Sequence, residues 1–252
     1  VEAEEGKLKP YYEHAGIQIY HGDCREILPQ LTLADVIVTD PPYGETSLEW
    51  DKSVRGWLDA CEAVTRNVWC FGSMQMFMEM ARVGECSRWK RAQEIVWEKH
   101  NGSSSHADRF KRVHEIVVQF YLGDWASIFK TPVFTPDAIA RTVRRKARPP
   151  HWHGRIEKDT YKSYDGGDRL MRSVIYVRSC HGDAVHPTQK PIGILQPILR
   201  YSAQTNVCDP FMGSGSTLVA AKQLGLDAIG IEIEEKNCEI AAKRLSQEVL
   251  QF

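Results

Sequence analysis

The chain has 252 residues, 42 % of them hydrophobic and 26 % charged, with 18 Gly and 12 Pro; this excludes a disordered, collagenous or disulfide-stapled chain and leaves room for one large domain or two small ones. Its 32 basic and 33 acidic residues give a formal charge of −1, so the average gives no sign of a nucleic-acid partner. No apolar run reaches the ~18 residues of a membrane helix, Val1–Pro10 lacks the pattern of a secretory leader, and seven scattered Cys without a C-x-x-C pair are expected to be reduced thiols of a cytoplasmic protein.

Strands are predicted at Ile17–Tyr20, Val36–Thr39, Val68–Phe71, Glu94–Trp97, Ile116–Tyr121, Asn206–Cys208 and Ala228–Ile231. Their apolar residues are continuous rather than alternating, which predicts burial on both faces and hence a largely parallel sheet wrapped by helices. From about Lys130 to Arg172 four prolines, Gly154, Gly166 and Gly167 interrupt any period, as expected of an insertion on the scaffold. A helix is predicted to begin near Ile192, with Pro191 suited to its entry and Pro197 inside it. Another is predicted over Ser216–Leu224, stopped by Gly225. In Lys236–Leu250, Cys238, Ala241, Ala242, Leu245 and Val249 fall on one helical face. The order strand, Gly-rich turn, helix, strand, helix is half of a doubly wound α/β fold.

Two segments carry chemistry. Asp40-Pro41-Pro42-Tyr43-Gly44 follows the strand ending at Thr39. Consecutive prolines fix the backbone and remove two N–H groups, so a carboxylate, a carbonyl and an aromatic ring share one rigid turn that can grip a planar amino-bearing ring. A plain turn has the same look when taken alone. Asp209-Pro210-Phe211-Met212-Gly213-Ser214-Gly215-Ser216-Thr217 lies between a strand and a helix. Its glycines admit close approach of a ligand to a helix N-terminus, and Glu232, 17 residues past Gly215, stands where such folds place an acid on a ribose. No Lys follows the glycines before Lys222 and Leu218 stands where a third Gly would be, so neither a P-loop nor a dinucleotide fingerprint is present. An adenosine ligand without phosphates fits this pattern.

These residues resemble the amino-group DNA methyltransferases that use S-adenosylmethionine. D-P-P-Y is similar to their catalytic motif and D-P-F-M-G-S-G-S to their cofactor loop. His186-Pro187-Thr188-Gln189-Lys190-Pro191 and His21-Gly22-Asp23-Cys24 resemble two further cofactor-lining segments. The order, catalytic motif first, is that of the β class. The resemblance implies one mostly parallel, Rossmann-like, doubly wound methyltransferase sheet in circularly permuted order. It would comprise a catalytic half at residues 1–129, a target recognition insertion at 130–180 and a cofactor-binding half at 181–252. It implies that Asp40, Pro41, Pro42 and Tyr43 hold the target base. Around S-adenosylmethionine it implies Asp23 and Cys24 by the adenine, Asp209, Pro210, Phe211, Gly213, Ser214 and Gly215 by the methionine and ribose, Glu232 on the ribose hydroxyls, and Thr188 and Lys190 at the carboxylate.

Asp40 resembles the adenine-modifying members; those acting on the cytosine amine more often have Ser there, and those acting on RNA or protein glutamine more often Asn. An N4-cytosine or RNA amino-methyltransferase, and a non-catalytic DNA-binding module of the same fold, remain alternatives. A restriction-modification setting and a homodimer are compatible with the resemblance. His151, His153, Cys180 and His181 lack zinc-finger spacing, and no metal is expected.

Charge by region changes the opening average. Residues 1–60 carry −7 and 203–252 carry −3, whereas 130–172 carry +6, with eleven Lys and Arg against five acids. Arg141, Arg144, Arg145, Lys146 and Arg148, followed by Trp152, Tyr161 and Tyr164, are therefore expected to meet the phosphates of double-stranded DNA, with Arg109 and Lys111 beside Arg112 as a second cluster.

Overall fold

A computed structural model describes residues 8–103, 107–147, 158–180 and 189–246. The first strands are β1 (Tyr12–His14) and β2 (Ile17–His21), then a short helix α1 (Cys24–Ile27) and β3 (Val36–Thr39). Helix α2 (Trp57–Ala60), β4 (Asn67–Gly72), α3 (Met74–Arg82) and the long hairpin β5 (Lys90–Ser103) and β6 (Arg112–Tyr121) follow. Residues 132–172 hold four short strands, β7 (Phe134–Thr135), β8 (Arg141–Arg145), β9 (Asp159–Ser163) and β10 (Arg169–Leu170). The chain then forms β11 (Val174–Tyr176), α4 (Ile192–Ser202), β12 (Asn206–Asp209), α5 (Ser216–Gln223), β13 (Asp227–Glu232) and α6 (Glu235–Ser246).

Nine strands make one sheet in the order β1-β2-β13-β12-β3-β4-β6-β5-β11. The five central strands β2, β13, β12, β3 and β4 are mutually parallel. The hairpin β5–β6 joins antiparallel, and β11 lies parallel to β5. Every residue of β3 and β4 is buried, as their unbroken apolar runs predict. Ile194, Leu195, Ile198 and Leu199 of α4 are all at most 1 % exposed, each worth about 1.5–3 kcal/mol of apolar burial. On the same body the Trp69 indole N–H donates to Ser202 Oγ at 2.7 Å, so that buried polar groups are satisfied.

From β3 the chain proceeds to β4 on one side, and from β12 to β13 on the other. The boundary between β3 and β12 is thus a switch point, the crevice in which doubly wound sheets bind ligands. The two sequence motifs leave these two strands at their carboxyl ends.

Residues 132–172 form a compact unit of their own, distinct from residues 1–131 and 173–252. Among the described residues it has two antiparallel pairs, β7 with β10 and β8 with β9, closed by the Ala138 N–H donating to the Gly167 carbonyl, the Gly166 N–H donating to the Ala138 carbonyl, and an ion pair between Arg169 and Asp137. Residues 173–180 fall outside it, since β11 pairs with β5 of the main sheet. The helix predicted over Lys236–Leu250 is seen from Glu235 to Ser246, and residues 247–250 lie outside the described residues. Among the described residues no helix is long and apolar enough to cross a membrane.

Candidate active site

Asp40 follows β3 directly. The Tyr43 hydroxyl donates to its Oδ1 at 2.8 Å, and the Lys190 ammonium pairs with its Oδ2. Burial raises the Asp40 carboxyl above the usual aspartate range; Lys190 opposes this rise and Glu115 adds to it. The Tyr43 phenol is pushed well above its ordinary value by burial and by the neighbouring carboxylates. The loop beyond is shaped by Asp51, only 6 % exposed, which accepts the backbone N–H groups of Gly44, Glu45 and Thr46 at 2.8, 3.1 and 2.7 Å. Those bonds outweigh burial and hold the Asp51 carboxyl below its ordinary value. Gly44 takes φ +70° there, a left-handed turn that favours glycine. Trp50, in the same loop, is 47 % exposed and faces the cavity described below.

Asp209 ends β12 and binds β3. Its Oδ1 accepts from Thr39 Oγ1 at 2.7 Å and from the Phe211 N–H at 3.1 Å. Burial lifts its carboxyl to about 6 against the hydrogen bonds of Thr217, Thr39 and Phe211. Asp209 therefore braces the two motifs against each other. Glu232, at the end of β13, accepts the N–H of Gly213 and of Glu234, both at 2.9 Å, and burial raises its carboxyl. The Phe211 ring meets Trp57 edge to face at 5.6 Å. Ser214 is fixed by the Arg244 guanidinium, which donates to its carbonyl and hydroxyl. Gly215 precedes α5 with φ +79°, and a Cβ there would come within 3.0 Å of Ala241, so a side chain would be strained twice over.

At the other wall Asp23 caps α1 through the Arg25 N–H and pairs with the Arg25 side chain, which lowers its carboxyl. Cys24 is buried, and its thiol is pushed up to about 12 by that burial; it is an inert wall residue. Lys190 directs its ammonium to Asp40 and to Glu115, 3.5 Å away. Thr188 lies outside the described residues, as do His181 and the other residues of 181–188.

A cavity of about 1050 Å³ brings Asp23, Asp40, Tyr43, Phe211, Gly213 and Glu232 onto one surface with Lys190. Small-molecule sites run to about 1000 Å³, so this one has space for a nucleoside-sized cofactor and a second planar ring. Sequence reasoning missed Asp51, Glu115 and Lys99, all three of which line the cavity. A Glu at the start of the apolar run Ile116–Tyr121 was the available sign for Glu115. The residues fit S-adenosylmethionine: Ser216 Oγ, at the first turn of α5 on the cavity wall, is buried without a hydrogen-bond partner among the described residues, and a Cβ at Gly213 would meet nothing within 4 Å.

The basic residues that the sequence assigns to DNA fall on two stretches of the chain. Arg141 and Arg144 lie exposed on β8, with Lys146 exposed just beyond, and β9 sets Tyr161 opposite Val143. Arg109 and Lys111 are exposed before β6 on either side of Phe110, whose ring is fully exposed. Arg145 belongs to β8, but its side chain, like all of Arg148 and Trp152, lies outside the described residues.

A family model for DNA methylases matches residues 34–243. The chain is 28 % identical to the type II methyltransferase M2.LlaDCHI of Lactococcus lactis subsp. cremoris, over 95 % of this chain and 93 % of that protein. It is 27 % identical to the type II methyltransferase M.HinfI of Haemophilus influenzae, over 91 % of this chain and 68 % of that protein. Its fold is like that of M1.HpyAVI in complex with SAM (24 % identity, TM-score 0.61, 90 % of this chain and 99 % of that one). It is also like that of the cytosine-N4-specific PvuII DNA methyltransferase (14 % identity, TM-score 0.62, 96 % and 91 %). With the family model spanning both motifs and the sheet between them, the chain belongs to the N6/N4 DNA methylase family and is an S-adenosylmethionine-dependent DNA amino-methyltransferase.

Proposed function

We propose that this methyltransferase modifies the N6 amine of an adenine extruded from duplex DNA. The observation that carries the reading is the D-P-P-Y turn: Asp40 and Tyr43, joined at 2.8 Å, stand on one cavity with the Gly-rich loop and Glu232. S-adenosylmethionine, when bound, supplies an electrophilic sulfonium methyl. The target amine is a poor nucleophile because its lone pair is delocalised into the ring, so the protein's task is to orient it and localise that pair. An ionised Asp40 accepts one amine hydrogen and the Pro41 carbonyl the other, favouring a pyramidal nitrogen held in line with the methyl group. A carboxylate offers about four acceptor positions, so Tyr43 and Lys190 leave room for the amine. Extruding the base costs a few kcal/mol, and stacking on Tyr43 offsets about 1–3 kcal/mol of it.

For the cofactor, Gly213, Gly215 and Phe211 would border the methionine and ribose, Glu232 would take the ribose hydroxyls, and the wall at Asp23 would face the adenine. Asp209 and Lys190 act here on the catalytic turn. Arg141, Arg144, Lys146, Arg109 and Lys111 are assigned to phosphates of double-stranded DNA. The type II methyltransferases among its relatives support a place in restriction-modification. The fold likeness to a cytosine-N4-specific enzyme does not choose the base; Asp at position 40 favours adenine.

The test is transfer of labelled methyl to unmethylated DNA followed by nucleoside analysis. N6-methyladenine is expected, and N4-methylcytosine would overturn the adenine assignment. Asp40→Ala is expected to abolish transfer while S-adenosylmethionine affinity stays within about twofold, less than ~0.5 kcal/mol.

A further inference from the structure

Four charged side chains form a chain that leads away from the catalytic carboxylate. Asp40 pairs with Lys190, Lys190 lies 3.5 Å from Glu115, and Glu115 pairs through its other oxygen with Lys99. Glu115 stands on β6 opposite Trp97 of β5, and Lys99 is two residues beyond Trp97, its ammonium over that ring at 4.6 Å. Side-chain exposure is low throughout, 11 % for Lys190, 15 % for Glu115 and 23 % for Lys99. Glu115 Oε2 is buried and has no hydrogen-bond partner among the described residues beyond the Lys190 ion pair. A half-satisfied carboxylate in such a place is poor for stability, since replacing buried ion pairs by other packing is often neutral or favourable. It also sets a second negative charge behind the one ammonium that meets Asp40. Two carboxylates sharing one ammonium compete for it, so neither is neutralised fully.

We propose that Glu115 is a positioning residue for methyl transfer: its charge competes with Asp40 for the Lys190 ammonium, and so keeps the Asp40 carboxylate a strong enough acceptor for the hydrogen of the target amine. The inference rests on the assignment of Asp40 to that amine, and it holds for an adenine or a cytosine target alike. Lys190 alone would hold Asp40 ionised but would offset its charge more fully, leaving a weaker acceptor. With Glu115 present the ammonium is shared, and Lys99 on the far side keeps Glu115 itself charged. The charges facing Glu115 and Asp40 agree in direction. Burial acts against the charge of Glu115, yet Lys190 and Lys99 hold its carboxyl below the usual glutamate value. Burial likewise opposes the Lys190 charge, which Asp40 and Glu115 restore. Asp40 is raised first by burial and then by Glu115. Of the other titratable neighbours, Tyr43 and Cys70 are pushed well above their ordinary values and stay neutral across the working range, while Asp209, lifted by burial to about 6, also feels the Asp40 charge.

The test is single-turnover methyl transfer as a function of pH for the wild type, Glu115→Gln, Glu115→Asp and Asp40→Ala. Transfer is lost on the acid side when Asp40 takes a proton. Removing the Glu115 charge lowers the Asp40 titration, so the acid limb of Glu115→Gln should move to lower pH. Its plateau rate should fall about tenfold, the factor equivalent to one pKa unit of altered interaction. The KM for S-adenosylmethionine should hold. Glu115→Asp, which keeps the charge, should recover part of both the rate and the limb. A Glu115→Gln enzyme with the wild-type rate and limb overturns the proposal. So does one that is slower with an unmoved limb, since that marks a merely structural residue. If Asp40→Ala still transfers methyl, the underlying assignment of Asp40 fails instead.

Discussion

Asp209 lines the cavity and also has inward partners that its motif alone does not announce. Its motif marks it as a cofactor residue, yet its carboxylate is bonded inward to Thr39 and to the Phe211 N–H. A burial-raised carboxyl has a definite consequence for stability. Folded Asp209 binds its proton up to about pH 6, whereas the unfolded chain releases it near 3.9. The folded state therefore gains from the proton at low pH and loses that gain as pH rises from about 4 to 6, by about 3 kcal/mol in all. Asp209→Asn should flatten that part of the stability curve; denaturant titrations at pH 4 and pH 7 that give the same wild-type-to-variant difference would refute it. Asp40, Tyr43 and Glu232 were legible because short motifs carry their chemistry. Glu115 and the direction of the Lys190 side chain were not, because a contact spanning 75 residues leaves no local pattern.

At the scale of elements, hydrophobic runs located all seven predicted strands, because burial on both faces demands continuous apolar residues. The hairpin β5–β6 was less legible: its two runs resemble those of the parallel strands, and only the chain path sets their antiparallel pairing. The loop after the D-P-P-Y turn was illegible for another reason. Its shape depends on one acid, Asp51, which gathers three backbone N–H groups, and nothing local marks that Asp among the other polar residues. Asp51→Ala should leave donors unpaired at a cost of about 1–3 kcal/mol each where water cannot reach them. It should also slow transfer more than it weakens S-adenosylmethionine binding. A melting curve and a cofactor titration on the same sample check both, and an unchanged transfer rate would show that the loop does not position the turn.

For the whole molecule, the near-zero charge is an average over regions of opposite sign. The compact unit at 132–172 carries most of the basic excess, while the nucleoside-sized cavity in the main body is walled by acids. If Arg141 and Arg144 each meet one phosphate, Arg141→Glu with Arg144→Glu should reduce the slope of log binding constant against log salt by about 2. Filter binding or anisotropy from low to moderate salt measures this, and an unaltered slope would move the DNA contact elsewhere.

The hydrogen bond between Thr39 and Asp209 joins residues 170 positions apart. Synthesis proceeds at roughly 5–20 residues per second, so the partner of β3 emerges roughly 10–30 s after it. During that interval β3 has β4 on one side and an open edge on the other, the side that β12 later fills. Open apolar edges invite pairing with other chains. Permuted motif order therefore carries a kinetic liability: the enzyme must keep its most apolar strand from the wrong neighbour until its own sequence supplies the right one.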